Sequence, residues 1–244
     1  LPISAKNIVI GGNRMRGVLY GAYEFLERYA GYRHLALDCE MIPSRRSITV
    51  PDDLDLKGRP FFPYRRVSMG IWGETFKHSQ FLSHNRQLND SSAPQWGYCR
   101  FTGSPGSCHT FWEYSADFPQ GHDEYFSLDA GGRRQKPVNG LGPGQMCLSN
   151  PEVRTLVAAG MIRHIKADRE KTDRETPGAP CYSIYDLSQN DNTDYCRCPG
   201  CEALAARYGG QSGVMLDFVN AVAREVGKLY PDVMIQTFAY QYTL

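Results

Sequence analysis

Three cysteines stand close together towards the end of the sequence: Cys196, Cys198 and Cys201. Three thiols within six residues can hold a tetrahedral zinc ion when a fourth ligand comes from elsewhere, and Cys181 or a histidine has the right donor type. A disulfide within the cluster plus one remote bridge is the alternative, which gains weight in an exported protein. Because three thiolates make a soft, closed site, we expect a structural rather than a catalytic metal.

An aspartate follows a short apolar segment that is typical of a buried strand. Residues 181–187 predict the strand, and Asn190 and Asp191 come directly after it. In α/β barrels the catalytic groups lie at the carboxyl ends of the strands. We therefore take Asp191 as the candidate catalytic carboxylate and Asn190 as a substrate contact. The alternative is an ordinary Asx-type turn at residues 190–192.

A carboxylate that acts as acid/base in hydrolysis often works with a second one: one protonates the leaving oxygen and the other acts as nucleophile or base. No second carboxylate stands out in this sequence. Asp123 and Glu124 lie beside His122 in a long loop, and Glu74 follows the first predicted strand, but Asp and Glu are usually solvated surface charges. A partner supplied by a later strand would lie beyond residue 244.

Three other side chains are candidates for binding a substrate. His109 can hydrogen-bond a hydroxyl or a carboxylate, although a lone histidine beside a strand is more often structural. Arg65 carries a guanidinium fork that fits a uronate or adjacent hydroxyls, and its neighbour Arg66 has the opposite strand phase. Trp72 is a candidate stacking platform, with a buried core tryptophan as the alternative.

The elements that position these residues alternate between strands and helices. From residue 59 onward the sequence predicts strands at 67–72, 108–111, 181–187 and 233–240, and helices at 79–88, 151–169 and 213–229. Asn150 and Pro151 are the N-cap and the first-turn residue of the second of these helices. Residues 112–147, rich in Gly and Pro, predict a long loop of the functional kind. The crossovers are long enough for parallel pairing, which indicates an α/β fold.

Residues 1–57 predict a separate, smaller domain, with strands at 8–10, 33–37 and 47–50 and a helix over 17–29. These elements are too few to close a core, so we expect them to be the C-terminal part of a small α/β domain. Residues 58–244 then form the N-terminal part of a (β/α)8 TIM barrel. Such a barrel has eight strand-helix units in ~250 residues and about four occur here, so we expect its first half.

Two early segments resemble known carbohydrate-active enzymes. Residues 17–27 (GVLYGAYEFLE), followed by Ile42-Pro43, resemble the small domain that precedes the barrel in family 20 glycoside hydrolases and in α-glucuronidases. Residues 60–65 (PFFPYR) resemble the entry to the first barrel strand of the same enzymes. In family 20 the arginine of this segment holds hydroxyls of the terminal sugar, and Arg65 matches it. Family 20 also uses the acetamido group of the substrate in place of a protein nucleophile.

Over its whole length the sequence resembles the bacterial domain-of-unknown-function family 4838, which belongs with the glycoside hydrolase barrels. The segments that carry this resemblance are residues 83–89, 109–110, 122–128, 145–151, 188–191, 196–201 and 238–241. The resemblance implies a barrel and a carbohydrate substrate, but no particular bond. In many such barrels an Asn-Glu or Asp-Glu pair ends the fourth strand, whereas this sequence has Asn190-Asp191.

These features together predict an exo-acting glycoside hydrolase for uronic or N-acetylated sugars of polysaccharides or glycans. Asp191 is its acid/base, Arg65, His109 and Asn190 hold the sugar, and catalysis requires no cofactor. The alternative is a non-catalytic carbohydrate-binding or scaffold protein on a barrel frame. A zinc-ribbon interaction module built on the cysteines is a third hypothesis.

Composition limits the classes of partner. The 27 basic and 26 acidic residues are well mixed, so charge indicates neither a nucleic acid nor a membrane surface. No apolar run approaches the roughly 20 residues of a membrane helix, and residues 1–10 lack the pattern of a signal peptide. A secreted, periplasmic or cell-surface location is therefore implied by the family resemblance alone.

Overall fold

The fold is described from a computed structural model of the chain. The structure describes residues 7–12, 15–62, 64–65, 76–87 and 101–244. The strand predicted at 67–72, together with Trp72 and Glu74, lies outside the described residues. The chain forms two compact units, Leu1–Cys99 and Arg100–Leu244. The domain boundary predicted between residues 57 and 58 stays a prediction.

In the first unit, helices flank a short antiparallel hairpin. Helix α1 (Met15–Phe25) continues into a π-helical turn at Leu26–Ala30, which ends at Gly31 with a φ of 76°. Strands β1 (Arg33–Ala36) and β2 (Cys39–Met41) pair antiparallel, and helix α2 covers Phe76–His84. The predicted helix at 17–29 and the predicted strand at 33–37 are confirmed.

Two strands predicted in this unit are wrong. Residues 8–10 and 47–50 are not in strands, and β1 pairs instead with β2, which the sequence did not indicate. Ile8 is 56% exposed and Ile48 is 44% exposed. β-Branched residues favour a strand through packing on neighbours, and these side chains lack that packing.

A pair of histidines connects the hairpin to α2. The Nδ1 atoms of His34 and His84 lie 2.9 Å apart, and the Tyr32 hydroxyl bonds to Nδ1 of His84. Glu40 Oε1 lies 3.6 Å from His34 Nδ1. Burial lowers the pKa of His84 to about 4; repulsion from His34 acts in the same direction, and Glu40 opposes it. His84 is therefore neutral in the folded protein at neutral pH.

This neutral histidine makes stability depend on pH. The pKa of His84 in the folded state lies below its ordinary value of 6.5, so the unfolded chain binds the proton first as the pH falls. The contribution of His84 is fully present above pH 6.5 and is lost between about pH 6.5 and 4. We expect the free energy of unfolding to fall by about 1 kcal/mol across this pH window, after allowance for the partial exposure of the ring.

The measurement is urea unfolding of the wild-type protein and of His84→Gln at about pH 7 and about pH 4.5. The amide of the variant does not titrate, so its stability should fall less on acidification than that of the wild type. Equal losses in the two proteins would contradict the assignment to His84.

The second unit is built on parallel strands. Strand β5 (Ile184–Asp186) pairs parallel with β6 (Met234–Gln236), and Thr102 forms a parallel bridge with Ile184 on the opposite side of β5. The neighbours in the sheet therefore follow chain order. Parallel pairing requires long crossovers. Strands β5 and β6 lie within the strands predicted at 181–187 and 233–240. Closure of such strands into a barrel stays a prediction.

Helices fill both crossovers. Helix α4 (Pro151–Glu175) lies between Thr102 and β5, and helices α5 (Pro199–Tyr208) and α6 (Gln211–Gly227) lie between β5 and β6. The helices predicted at 151–169 and 213–229 are confirmed, the first with six more residues at its end. No helix among the described residues has the combination of length and apolar character that crossing a bilayer demands.

The loop predicted at 112–147 contains short elements of its own. They are helix α3 (Phe111–Ala116), a 3-10 turn at Asp123–Tyr125 and an antiparallel hairpin of β3 (Ser127–Leu128) and β4 (Arg134–Gln135). The strand predicted at 108–111 is wrong. His109 has a φ of 53°, which an extended strand excludes, and Phe111 begins α3, where its buried ring packs edge-on against Phe218 of α6.

The core of the second unit lies between the helices and the sheet. Both long helices bury residues at three- and four-residue spacing, as expected for one apolar face. On α4 these residues are Val153, Val157, Met161 and Ile165, and on α6 they are Met215, Phe218, Val222 and Val226. Tyr185 and Leu187, from β5 and the residue after it, join the same core. Burial of such side chains stabilises the fold by roughly 1.5–3 kcal/mol each.

Asn150 caps the amino terminus of α4, as predicted. Its Oδ1 accepts hydrogen bonds from the backbone N–H groups of Glu152 (2.9 Å) and Val153 (3.3 Å), and Pro151 occupies the first turn. We expect Asn150→Ala to lower the free energy of unfolding by about 1 kcal/mol, because two donors lose their acceptor. Asn150→Ser keeps an acceptor oxygen, so its loss in free energy of unfolding should be only a few tenths of the loss caused by Asn150→Ala. Urea denaturation compares the three proteins, and equal losses in both variants would exclude the cap as the cause.

Candidate active site

Three loops meet at one edge of the parallel sheet, here called the carboxyl edge. They are the loop after Thr102, the loop after β5 and the loop after β6. Phe111 N donates to Ser188 O (3.1 Å), which joins the first loop to the second. Gln189 Nε2 donates to Tyr240 O (2.6 Å), which joins the second to the third.

In the loop after β5, Leu187 is followed by three polar residues that are 0% exposed: Ser188, Gln189 and Asn190, here called the buried polar segment. A buried polar group without a partner is costly, and the first two side chains are fully engaged. Ser188 Oγ donates to Asp186 Oδ1 (2.6 Å) and accepts from His109 N (2.8 Å). Gln189 Oε1 accepts from the Thr243 hydroxyl (2.9 Å).

Asn190 is held by the long loop of residues 112–147. The side chain of Gln145 bonds both to the N–H and to the carbonyl of Asn190, each at 3.0 Å. Asn190 Nδ2 donates to Gly144 O (3.1 Å), and Asn190 Oδ1 accepts from Trp112 N (3.2 Å). The structure therefore gives Asn190 a framework role, and its predicted contact with a sugar stays a prediction. An Asx-type turn forms at Asn192, whose Oδ1 accepts from the N–H of residue 194.

Asp191 stands at the end of the buried polar segment and is half-buried. Its backbone N–H donates to Gly140 O (2.7 Å). Its Oδ1 accepts from the Tyr240 hydroxyl (2.9 Å) and from Gln241 Nε2 (2.6 Å), both on the loop after β6. Among the described residues no donor bonds to Oδ2. The described residues thus orient one oxygen of this carboxylate and leave the other without a hydrogen bond.

His109 lies beside this carboxylate loop with a defined tautomer. Its Nδ1 lies 2.8 Å from Gln189 O, and a carbonyl only accepts, so Nδ1 carries the proton. Nε2 of the neutral ring is then an acceptor and makes no hydrogen bond within the described part of the chain. The ring meets Phe238 edge-on at 5.4 Å and lies 6.1 Å from the ring of Tyr240.

Backbone strain is concentrated at this edge. His109 has a φ of 53° and Gln241 a φ of 51°; Arg86 is the one other described non-glycine residue with a positive φ. A non-glycine residue in this region costs about 1 kcal/mol or more. The surrounding hydrogen bonds hold two such residues on either side of the Asp191 loop, a pattern common at functional sites.

Asp186 anchors the carboxyl edge, and sequence reasoning missed it. It ends β5 and is 0% exposed. Its carboxylate accepts hydrogen bonds from the hydroxyls of Thr110 (2.9 Å) and Ser188 (2.6 Å) and from Gln236 Nε2 (2.9 Å). Burial raises the pKa of Asp186, and these three hydrogen bonds oppose the rise. The available signal was an aspartate at the end of an otherwise apolar strand.

We expect Asp186→Ala to destabilise the second unit by about 3 kcal/mol or more, because the carboxylate that accepts from two buried hydroxyls and one part-buried amide is lost. Asp186→Asn keeps one oxygen and should cost less. The matched control is Asp232→Ala: Asp232 forms an exposed ion pair with Arg169 (2.7 Å), which is worth about 0–1 kcal/mol. Urea unfolding measures all three, and an Asp186→Ala cost equal to that of the control would refute the anchoring role.

Two other predicted site residues have partners of their own. Arg65 belongs to the first unit, where its guanidinium donates to the carbonyls of Arg86 (3.0 Å) and Phe62. His122 pairs with Glu124 at 2.8 Å on the exposed 3-10 turn, beside the exposed Asp123. The structure therefore brings Asp191, Asn190 and His109 together, and it adds Tyr240 and Gln241 to them, with the framework residues Asp186 and Gln145.

The three clustered cysteines acquire a fourth partner that the sequence did not indicate. Cys147, not Cys181 or a histidine, joins Cys196, Cys198 and Cys201. All four are buried and are here called the four-cysteine cluster, and Cys181 is half-buried outside it. The described cysteines are free thiols. The available signal was Cys147 in segment 145–151, just before the cap of α4.

The comparison with protein families confirms the resemblance to family 4838, whereas the resemblance to family 20 glycoside hydrolases and α-glucuronidases stays a prediction. The family model described as "Domain of unknown function (DUF4838)" matches residues 34–244. That range includes the whole carboxyl edge and the four-cysteine cluster. Neither the curated proteins nor the solved structures contain a match to the chain.

Proposed function

The chain belongs to the DUF4838 family, and from the geometry of its carboxyl edge we propose that it is part of an exo-acting glycoside hydrolase for uronic or N-acetylated sugars. The proposal includes a (β/α)8 barrel whose first half begins near residue 58, a small preceding α/β domain in residues 1–57, and a secreted or cell-surface location. The parallel, chain-ordered strands support the barrel. The observation that carries the function is the position of Asp191.

Asp191 acts as the acid/base. It follows the carboxyl end of a parallel strand, where barrel enzymes keep their catalytic groups. Tyr240 and Gln241 hold Oδ1, which leaves Oδ2 to give a proton to the glycosidic oxygen and to take one back from water. The buried polar segment fixes the backbone before Asp191, so the carboxylate meets the substrate already oriented.

The surrounding groups fit a sugar ring. Nε2 of His109 accepts a hydrogen bond from a sugar hydroxyl, because Nδ1 carries the proton. Phe238 and the 40% exposed Tyr240 offer aromatic faces for the apolar side of a pyranose. Arg65 is the proposed contact to a uronate or to adjacent hydroxyls, by its resemblance to the family 20 arginine, and Trp72 is the proposed second stacking residue.

The second carboxylate is not Asp186, because a residue that is 0% exposed does not touch a substrate. An N-acetylated substrate supplies its own acetamido oxygen as nucleophile, so it needs only the acid/base Asp191 from the protein. A uronic substrate requires a carboxylate from a later strand. The two sugar classes therefore differ in whether the site must contain a second catalytic carboxylate.

A non-catalytic carbohydrate-binding protein is the second candidate. The aromatic surface favours it, since the rings of Phe238 and Tyr240 with His109 can bind a sugar without any chemistry. This candidate predicts sugar binding to the wild-type protein and no turnover.

The test is hydrolysis of a panel of aryl glycosides, including glucuronides and N-acetylhexosaminides, by the full-length protein. We expect Asp191→Asn to lower kcat/KM by about 10²–10⁴-fold, the range for loss of a general acid/base. Sugar affinity in calorimetry should stay within a few-fold, because the amide keeps the shape of the side chain. Asp232→Asn, at an exposed ion pair, is the control and should match the wild type.

Three results would count against the enzyme. Unchanged hydrolysis in Asp191→Asn removes this residue from catalysis. Binding without turnover in the wild-type protein selects the second candidate. Neither binding nor hydrolysis across the panel overturns both candidates.

A further inference from the structure

The four-cysteine cluster has the dimensions of a metal centre. All four Sγ atoms lie within 4.8 Å of one another, and Cys147 Sγ lies 3.6 Å from Cys198 Sγ and 3.9 Å from Cys201 Sγ. Four sulfurs bound to one zinc ion at ~2.3 Å lie ~3.8 Å apart in a regular tetrahedron. Sulfurs joined in a disulfide are ~2.05 Å apart. The spacing therefore fits zinc and not a disulfide.

We propose that Cys147, Cys196, Cys198 and Cys201 bind one Zn²⁺ ion in a closed, structural site. Four thiolates complete the tetrahedral coordination of zinc, and their burial leaves no open position for water or a substrate. Because thiolates are soft donors and Mg²⁺ and Ca²⁺ prefer oxygen ligands, the site does not suit these two ions.

The surroundings of the sulfurs fit the charge of such a site. Four thiolates around Zn²⁺ carry a net charge of about −2, which donors to sulfur must balance. Leu128 N donates to Cys196 Sγ at 3.4 Å, and Arg134 Nη1 approaches the same sulfur at 3.8 Å. The Ser149 hydroxyl lies 3.2–3.6 Å from the other three sulfurs and donates to one of them once they are thiolates.

The backbone around the last two ligands is shaped for this cluster. Cys198-Pro199-Gly200-Cys201 forms the turn that opens α5, and the amide end of a helix favours thiolate charge. A Cβ on Gly200 would lie 2.7 Å from Ser149 Oγ, so a side chain there would displace the hydroxyl from the sulfurs. Gly200 thus keeps Ser149 in contact with the cluster.

The zinc would fix the far end of the Asp191 loop, a consequence that rests on the proposed function. The loop starts at β5 and reaches the cluster at Cys196, five residues after Asp191. Arg197 N donates to Leu128 O (2.9 Å), which ties the same point to the β3–β4 hairpin. Asp191 is then held from both sides, by the buried polar segment and by the metal.

The first experiment measures metal in the full-length wild-type protein, purified under reducing conditions. We expect one zinc ion per chain by elemental analysis, and an X-ray absorption spectrum at the zinc edge with four sulfur neighbours at ~2.3 Å. No zinc above background, iron in its place, nitrogen or oxygen ligands, or a disulfide among the four cysteines would overturn the proposal.

The second experiment compares two serine variants. Cys147→Ser should lose its zinc to a colorimetric chelator at least about tenfold faster than the wild type, since one of four ligands is gone. Cys181→Ser is the matched control and should keep one zinc ion, because Cys181 lies outside the cluster. The reverse result would assign the fourth ligand to Cys181. If Cys147→Ser fails to fold, Cys181→Ser still decides: one zinc ion with four sulfur neighbours in this variant excludes Cys181 as a ligand, and loss of a sulfur neighbour would overturn the proposed ligand set.

Removal of zinc from the wild type should lower the midpoint of thermal unfolding by about 10 °C or more, and added zinc should restore it. An unchanged midpoint would contradict a structural role. None of these measurements requires enzymatic activity, so the two proposals can fail separately. If the protein binds zinc through four sulfurs but hydrolyses none of the aryl glycosides, only the proposed function is refuted. If it hydrolyses them but contains no zinc, only the metal site is refuted.

Discussion

The structure of the carboxyl edge depends on the burial of three polar residues in the loop after β5. Ser188, Gln189 and Asn190 are 0% exposed, and their polar groups must be satisfied inside the protein. Each takes its partners from a different part of the chain: Ser188 from Asp186 and the His109 loop, Gln189 from the loop after β6, and Asn190 from Gln145. The requirement for these bonds brings the loops together and leaves the next residue, Asp191, accessible at their junction.

This constraint explains why the site combines order with strain. His109 and Gln241 adopt positive φ angles that would be unfavourable in isolation, and both are fixed by bonds to the loop after β5: His109 through Ser188 and Gln189, and Gln241 through Asp191. The hydrogen bonds compensate for the strain only while all the loops are in place. Loss of one partner is therefore expected to affect the others, so the edge should behave as a cooperative unit.

Sequence patterns predicted the parts of this arrangement that local physics dictates. The cap at Asn150, the periodic helices and the parallel strands follow from residue type and spacing, and family membership follows from the segments quoted. The strand predicted at 108–111 was wrong because tertiary bonds from His109 impose a left-handed backbone on a locally apolar segment. Cys147 and Gln145 were missed as partners because they lie more than 40 residues from the residues they contact. No local pattern encodes such pairings.

We propose that the buried polar segment presents Asp191 to a sugar at the carboxyl edge. A crystal structure of the full-length protein with a bound glycoside tests this most directly. We expect Oδ2 of Asp191 within about 2.6–3.2 Å of the glycosidic oxygen, with Oδ1 still bonded to Tyr240 and Gln241. A sugar bound elsewhere, or an Asp191 carboxylate facing bulk solvent on the other side of the sheet, would contradict it.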